Sequence, residues 1–166
     1  MSNLYVDGGV IGRNPSSLGG TWAWCLIDGK EIIGSNYGVI EPSPPNPEKI
    51  TNNFTELLAA IKGLRGAGPE WNGTLYTDSK VTLHRLLGSF SFKNIPNWLR
   101  VLTLDLRRNR KWDAKLVGGH PTKKELEMGH LRRNSLPTSR WNVWCDNKCR
   151  EAAREFLDLI PKDRLR

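Results

Sequence analysis

The sequence predicts an α/β fold, a mixed sheet with helices on its faces, and two observations predict it. The first forty residues carry strand signals only, and from residue 51 onward helix and strand signals alternate. A third observation, the length of 166 residues, favours one compact domain with a sizeable core over two.

The strands come first. LYVDGG alternates around Tyr5 and Asp7, and GGTWAWCLI is rich in residues suited to a pleated surface. After the turn Asp28-Gly29, EIIGSNYGVI supplies a third strand, so the three are expected to form an antiparallel meander. EPSPPNPEK is Pro-rich, cannot join a central strand, and reads as a loop. Thr51 or Asn52 can then cap a helix whose apolar face is Phe54, Leu57, Leu58, Ile61 and Leu64, ending near Gly66 and Gly68. GTLYTDS is a short strand, and Ser79 can cap the helix KVTLHRLL. A third helix is predicted from about Ile95 to Arg108, with Trp98, Leu99, Leu102 and Leu106 inward. WDAKLVGGH reads as a fifth strand ending in a Gly-rich turn. The stretch from Pro121 to Thr138 has weak periodicity and reads as an irregular, basic excursion. Ser139 then caps a last helix in which Trp141, Cys145, Cys149, Ala152, Ala153 and Phe156 recur at helical spacing. The expected division is one domain over residues 1–160 and a short basic tail at 161–166.

Composition narrows the partners. Against 17 Asp and Glu stand 25 Lys and Arg, a formal net charge of +8. Such a chain is predisposed to meet a polyanion, because phosphate contacts dominate nucleic-acid affinity, although charge of this size also serves solubility alone. MSNLYVDGG has no basic region followed by an apolar stretch, so no secretory leader is expected, and no apolar run is long enough for a membrane span. The three cysteines, Cys25, Cys145 and Cys149, lack a secreted-framework spacing and read as reduced thiols in a cytoplasmic compartment. Cys145 and Cys149 lie four apart and can supply half of a zinc site. No second ligand pair has suitable spacing, and buried small side chains are the better reading.

Four carboxylates sit where solvated acids are not expected. Asp7 lies inside a strand, from which Asp is depleted, so it needs a partner or a function. Asp78 ends a strand just before a helix, the kind of position at which ligands collect in such sheets. Glu56 and Asp146 lie early in their helices, beside the packed stripe and not opposite it. Singly, Asp78 reads as a turn or capping residue, and Asp146 and Glu56 as exposed acids near a helix start. Should all four converge, their mutual repulsion demands cations, and hard oxygen ligands select Mg²⁺ or Mn²⁺. Such a cluster suits two-metal phosphodiester hydrolysis. Sequence alone does not establish convergence.

The residues around these acids resemble bacterial single-domain ribonuclease H. YVDGG is similar to that family's first-strand motif with its aspartate at Asp7. TNNFTELLAAIKGL is similar to its helix motif with the glutamate at Glu56, and YTDSK to its strand-end motif with Asp78. Asn142 followed by Asp146 in WNVWCDNKCREAA resembles the last-helix motif, and LVGGHP the histidine loop, putting that histidine at His120. An isolated TDS is common, but the ordered set with TNN-x-x-EL is specific and spans Leu4 to about Ala153.

The resemblance implies a ribonuclease H-like fold: a five-stranded mixed sheet, three antiparallel strands then two parallel, with helices on both faces. It implies a metal-binding and catalytic set of Asp7, Glu56, Asp78 and Asp146 with two Mg²⁺ ions, Mn²⁺ being an alternative. The implied reaction is endonucleolytic cutting of the RNA strand of an RNA–DNA hybrid, leaving a 3′-hydroxyl and a 5′-phosphate. His120 is implied as a proton carrier near the attacking water, or an aid to product and metal release. The groups implied to grip the hybrid are Gly8, Gly9, Asn52, Asn53, Ser79 and Lys80, acting on 2′-hydroxyls across the minor groove. A monomer is expected, with no membrane and no small-molecule cofactor as partner.

The chain departs from the family pattern at several points. Gly9 stands where many relatives carry a small polar side chain, and Lys80 where they often have glutamine. The basic protrusion that holds the DNA strand in many relatives is reduced to SFSFKNIPNW. Two basic segments are candidates to replace it: Arg107, Arg108, Arg110 and Lys111, or Lys123, Lys124, Arg132 and Arg133. Two other functions fit less of the pattern: a Holliday-junction resolvase of the same superfamily, and a catalytically inactive nucleic-acid-binding module, which would be expected to have lost an acid.

Overall fold

The computed structural model describes residues 2–119, 131–132, 136–137 and 139–165. Three long strands, β1 (Ser2–Val10), β2 (Gly20–Asp28) and β3 (Glu31–Ile40), form the expected antiparallel meander. Helix α1 (Asn52–Ala67) then crosses over to β4 (Thr74–Thr77), which pairs parallel with β1. Helix α2 (Lys80–Leu87) and helix α3 (Asn97–Arg108) lead to β5 (Asp113–Leu116), parallel to β4. The sheet order is β3-β2-β1-β4-β5, so the five-stranded mixed sheet expected from the sequence is the one observed. A two-stranded pairing of β6 (Leu131–Arg132) with β7 (Leu136–Pro137) precedes helix α4 (Arg140–Leu159) and a 3₁₀ turn at Lys162–Leu165.

Alternation along β1 divides the interior. Leu4 and Val6 face a large apolar cluster with Phe54, Leu57, Leu58, Ile61 and Leu64 of α1, Leu86 of α2 and Leu99 of α3. Tyr5 packs on the opposite face against a smaller cluster of Ala23, Cys25, Ile27, Cys145 and Cys149, through which α4 covers the sheet. Helices therefore lie on both faces, and Asp7, in register with Tyr5, belongs to the α4 side.

Local chemistry accounts for the helix bounds. Thr51, not Asn52, caps α1: its Oγ1 accepts from the Phe54 N–H at 3.2 Å. Ser79 caps α2 by accepting from the Thr82 N–H at 3.1 Å, and Ser139 caps α4. Helix α3 starts at Asn97, later than predicted, because Pro96 is held extended and acts as its cap residue. One expectation needs correcting: part of the stretch from Pro121 to Thr138 is not irregular, since residues 131–132 and 136–137 pair as strands. Their runs of two residues are too short for a periodicity to show. Among the described residues, no helix is long and apolar enough to cross a membrane.

Candidate active site

Four elements supply the acids: β1 Asp7, α1 Glu56, the end of β4 Asp78, and α4 Asp146. The first three converge, with one carboxylate oxygen from each lying within 4.8 Å of the others. Asp7 is buried, at 3% exposure, while Glu56, Asp78 and Asp146 are half-buried at the rim.

Gly8 brings β1 and α1 together. A Cβ at this position would come within 2.6 Å of the Glu56 backbone nitrogen, so the strand can approach the helix this closely only without a side chain. That approach lets the Gly8 N–H donate to Glu56 Oε2 at 3.2 Å. Gly119 does the same for Asp78: a Cβ there would stand 2.7 Å from Asp78 Oδ2. The chain leaving β5 is thereby laid against the carboxylate at the end of β4.

Packing acids this closely changes their protonation. Burial is the largest influence on Asp7 and pushes its carboxyl well above the ordinary range, with Asp78 and Asp146 adding repulsion. Glu56 is likewise raised, by burial first and then by Asp7 and Asp78. The ionised cluster is therefore electrostatically costly without a counter-charge. A donor set made only of carboxylate oxygens fits a hard divalent cation better than a soft one.

Asp146 stands apart from the group of three. Its charge is felt at Asp7, but its Oδ2 accepts from Arg150 Nε at 3.1 Å, one helical turn along α4. The three cysteines are free, buried thiols under the site, which is the reading preferred from the sequence over a zinc half-site. Cys25 and Cys145 place their sulfurs 3.8 Å apart, and the Cys149 thiol donates to the Asp7 carbonyl at 3.6 Å. Burial, then Asp7, pushes the Cys149 thiol far up, which keeps it a neutral packing group.

Of the residues expected to grip substrate, Gly8 directly follows Asp7 and Ser79 directly follows Asp78 in the chain. Gly8 and Gly9 are half-buried on β1, and Asn52, Asn53 and Lys80 are exposed at the starts of α1 and α2. Because Thr51 caps α1, the Asn52 and Asn53 side chains are not needed for that task. The Asn52 backbone N–H donates to Asn14 Oδ1 at 3.3 Å, tying the β1–β2 loop to the helix start. The Ser79 hydroxyl is engaged in capping α2. His120 lies outside the described residues, as do Lys123, Lys124 and Arg133. His84, expected on a helix surface, is exposed there and lies 3.0 Å from the Ser89 hydroxyl.

Two neighbours of the acids were not legible beforehand. The Gly-Gly pair at 118–119 signals a turn, but nothing in the sequence says which carboxylate the turn touches. Arg150 sits at the right helical spacing from Asp146 for an ion pair, a signal that many surface pairs share.

No protein-family model matches the chain. It is 29% identical over 157 residues to a ribonuclease H from Oleidesulfovibrio alaskensis, a match covering 81% of this chain and 93% of that protein. Among solved structures, the ribonuclease H1 of the halophilic archaeon Halobacterium salinarum superposes with a TM-score of 0.65 at 21% identity, covering 93% of this chain and 98% of that one. LC11 ribonuclease H1 in complex with an RNA/DNA hybrid also gives 0.65, at 16% identity, covering 95% and 99%. The chain therefore shares the ribonuclease H-like fold of these structures and is similar, over most of its length, to a curated ribonuclease H that carries the same name as the motifs' family.

Proposed function

We propose that this protein is an endonuclease that hydrolyses the RNA strand of RNA–DNA hybrids by two-metal-ion catalysis, leaving 3′-hydroxyl and 5′-phosphate ends. The observation that carries the reading is the convergence of Asp7, Glu56 and Asp78 within 4.8 Å in a protein of net charge +8. A relative at 29% identity is a ribonuclease H, and one structure of this fold was solved with an RNA/DNA hybrid.

Asp7, Glu56 and Asp78, joined by Asp146, would hold two Mg²⁺ ions, with Mn²⁺ as a substitute. Such ions lower the pKa of a bound water and stabilise the departing oxygen in an in-line displacement. The protein's own part is positioning. The Gly8 N–H fixes Glu56, and Gly119 leaves room for the Asp78 carboxylate. Burial keeps Asp7 away from bulk water, which strengthens its interaction with a cation. His120 serves as the proton carrier beside the attacking water or the product. Gly8, Gly9, Asn52, Asn53, Ser79 and Lys80 face the 2′-hydroxyls of the wide minor groove, the feature by which RNA is told from DNA. Residues 1–160 act as one nuclease domain in a monomer, with 161–166 as a tail.

The test is to incubate the protein with labelled RNA–DNA hybrid, duplex DNA, duplex RNA and a four-way junction, with Mg²⁺ or with EDTA. Metal-dependent cutting of the hybrid's RNA strand alone, abolished in Asp78→Asn, is the expected result. Equal cutting of the junction would replace this reading with a resolvase, and tight hybrid binding without cutting would replace it with a binding module.

A further inference from the structure

Arg150 is paired with a member of the candidate metal centre. Its Nε donates to Asp146 Oδ2 at 3.1 Å, while its own side chain is 69% exposed and that of Asp146 22%. Asp146 is the one acid of the four that does not join the group whose oxygens lie within 4.8 Å of one another. The two facts have a common physical cause. A fourth carboxylate moving toward Asp7, Glu56 and Asp78 would add repulsion to a cluster already crowded with negative charge, whereas turning one oxygen to a guanidinium relieves it.

We propose that Arg150 is a positioning residue for the metal centre, holding Asp146 in the metal-free protein so that a divalent cation must displace it to gain that carboxylate. The proposal rests on the four-acid metal site of the preceding section. In it, the fourth ligand is an exchangeable one: a carboxylate oxygen leaves the guanidinium for the cation, and the guanidinium, being mostly exposed, returns to water at little cost. The nearby pair Lys148–Glu151, at 3.1 Å, leaves Glu151 already occupied and so not a ready alternative partner for Arg150. Arg150 thereby sets the cation concentration at which the site fills, without touching substrate.

The experiment is a titration of the whole protein with MgCl₂ at constant ionic strength, following the melting temperature and, separately, heat of binding. Wild type is compared with Arg150→Gln, Arg150→Lys, Asp146→Asn and the Arg150→Gln/Asp146→Asn double variant. An exposed pair of this kind is worth up to about 1 kcal/mol, so Arg150→Gln is expected to lower the half-saturating Mg²⁺ concentration by about two- to fivefold. Arg150→Lys, which keeps the charge, should shift it less. In the Asp146→Asn background Arg150→Gln should change nothing, because the group it competes for is gone. An unchanged or weaker Mg²⁺ affinity in Arg150→Gln would overturn the proposal, as would the same shift with and without Asp146. If wild type itself shows no Mg²⁺-dependent stabilisation, the metal-site reading fails, an outcome distinct from failure of the Arg150 proposal alone.

Discussion

Gly119 bears no functional group, yet a methyl group there is expected to injure the site because it would meet Asp78 Oδ2 at 2.7 Å. Either the carboxylate or the chain leaving β5 must move, and displacements of about 1 Å in such sites can cost on the order of 100-fold in rate. We therefore expect Gly119→Ala to lower the turnover of hybrid cleavage by about 10- to 100-fold. Its denaturation midpoint should stay near that of wild type, and single-turnover kinetics beside a urea melt would check both. Asn52 offers the opposite case. Its side chain is exposed and Thr51 already caps the helix, so Asn52→Ala should leave stability nearly unchanged while raising KM for the hybrid several-fold. Equal activity per folded molecule would remove Asn52 from the substrate surface. At this scale the sequence named the acids from their odd positions and the family motifs. It could not name Gly119 or Arg150, whose importance lies in which atoms they meet.

Helix α1 is the element on which the site turns, since it carries Glu56, starts at Asn52 and Asn53, and lies against β1 at Gly8. Its first turn contains no acidic residue to complement the helix dipole, and the Thr51 hydroxyl caps it instead. Thr51→Ala is expected to cost about 1 kcal/mol in urea denaturation, the usual worth of such a cap. Activity at low temperature, where the helix start remains folded, should persist. The bounds of α1 were readable in advance because a capping residue, a long apolar stripe and a terminal glycine all agree. The start of α3 was less so, since Ile95 continues the apolar pattern that Pro96 interrupts. The strands β6 and β7 left no mark at all, because two residues carry no period.

Over the whole molecule, electrostatics opposes folding of the metal-free site. Asp7 and Glu56 have folded-state pKa values raised well above the ordinary carboxylate range, chiefly by burial and then by neighbouring acids. A raised carboxyl binds its proton more tightly folded than unfolded. Its stabilising contribution is therefore complete below the unfolded value of about 4 and is lost as pH rises through the folded value. The metal-free protein should accordingly become more stable as pH is lowered through the raised values of these carboxyls toward their unfolded value. Asp7→Asn should be more stable than wild type at neutral pH, by roughly 1–3 kcal/mol if most of the repulsion is relieved. Thermal melts in EDTA across pH would check the sign, and saturating Mg²⁺ should reverse the ranking of the two proteins.

The sequence by itself determined the class of fold and the order of the five sheet strands and the helices, and it singled out four acids as candidates. Strand alternation, helix periodicity and capping are local, and each acid broke a local pattern that could be read without knowing its neighbours. Only the tertiary structure decided that Asp7, Glu56 and Asp78 meet while Asp146 turns one oxygen to Arg150. It also decided that Gly8 and Gly119 are where the backbone closes on Glu56 and Asp78. The reason is physical: the distance between residues 7, 56 and 78 depends on a parallel β1–β4 pairing and on a helix packed across the sheet. Those contacts join parts of the chain about fifty or more residues apart, and no short-range pattern records how closely they pack.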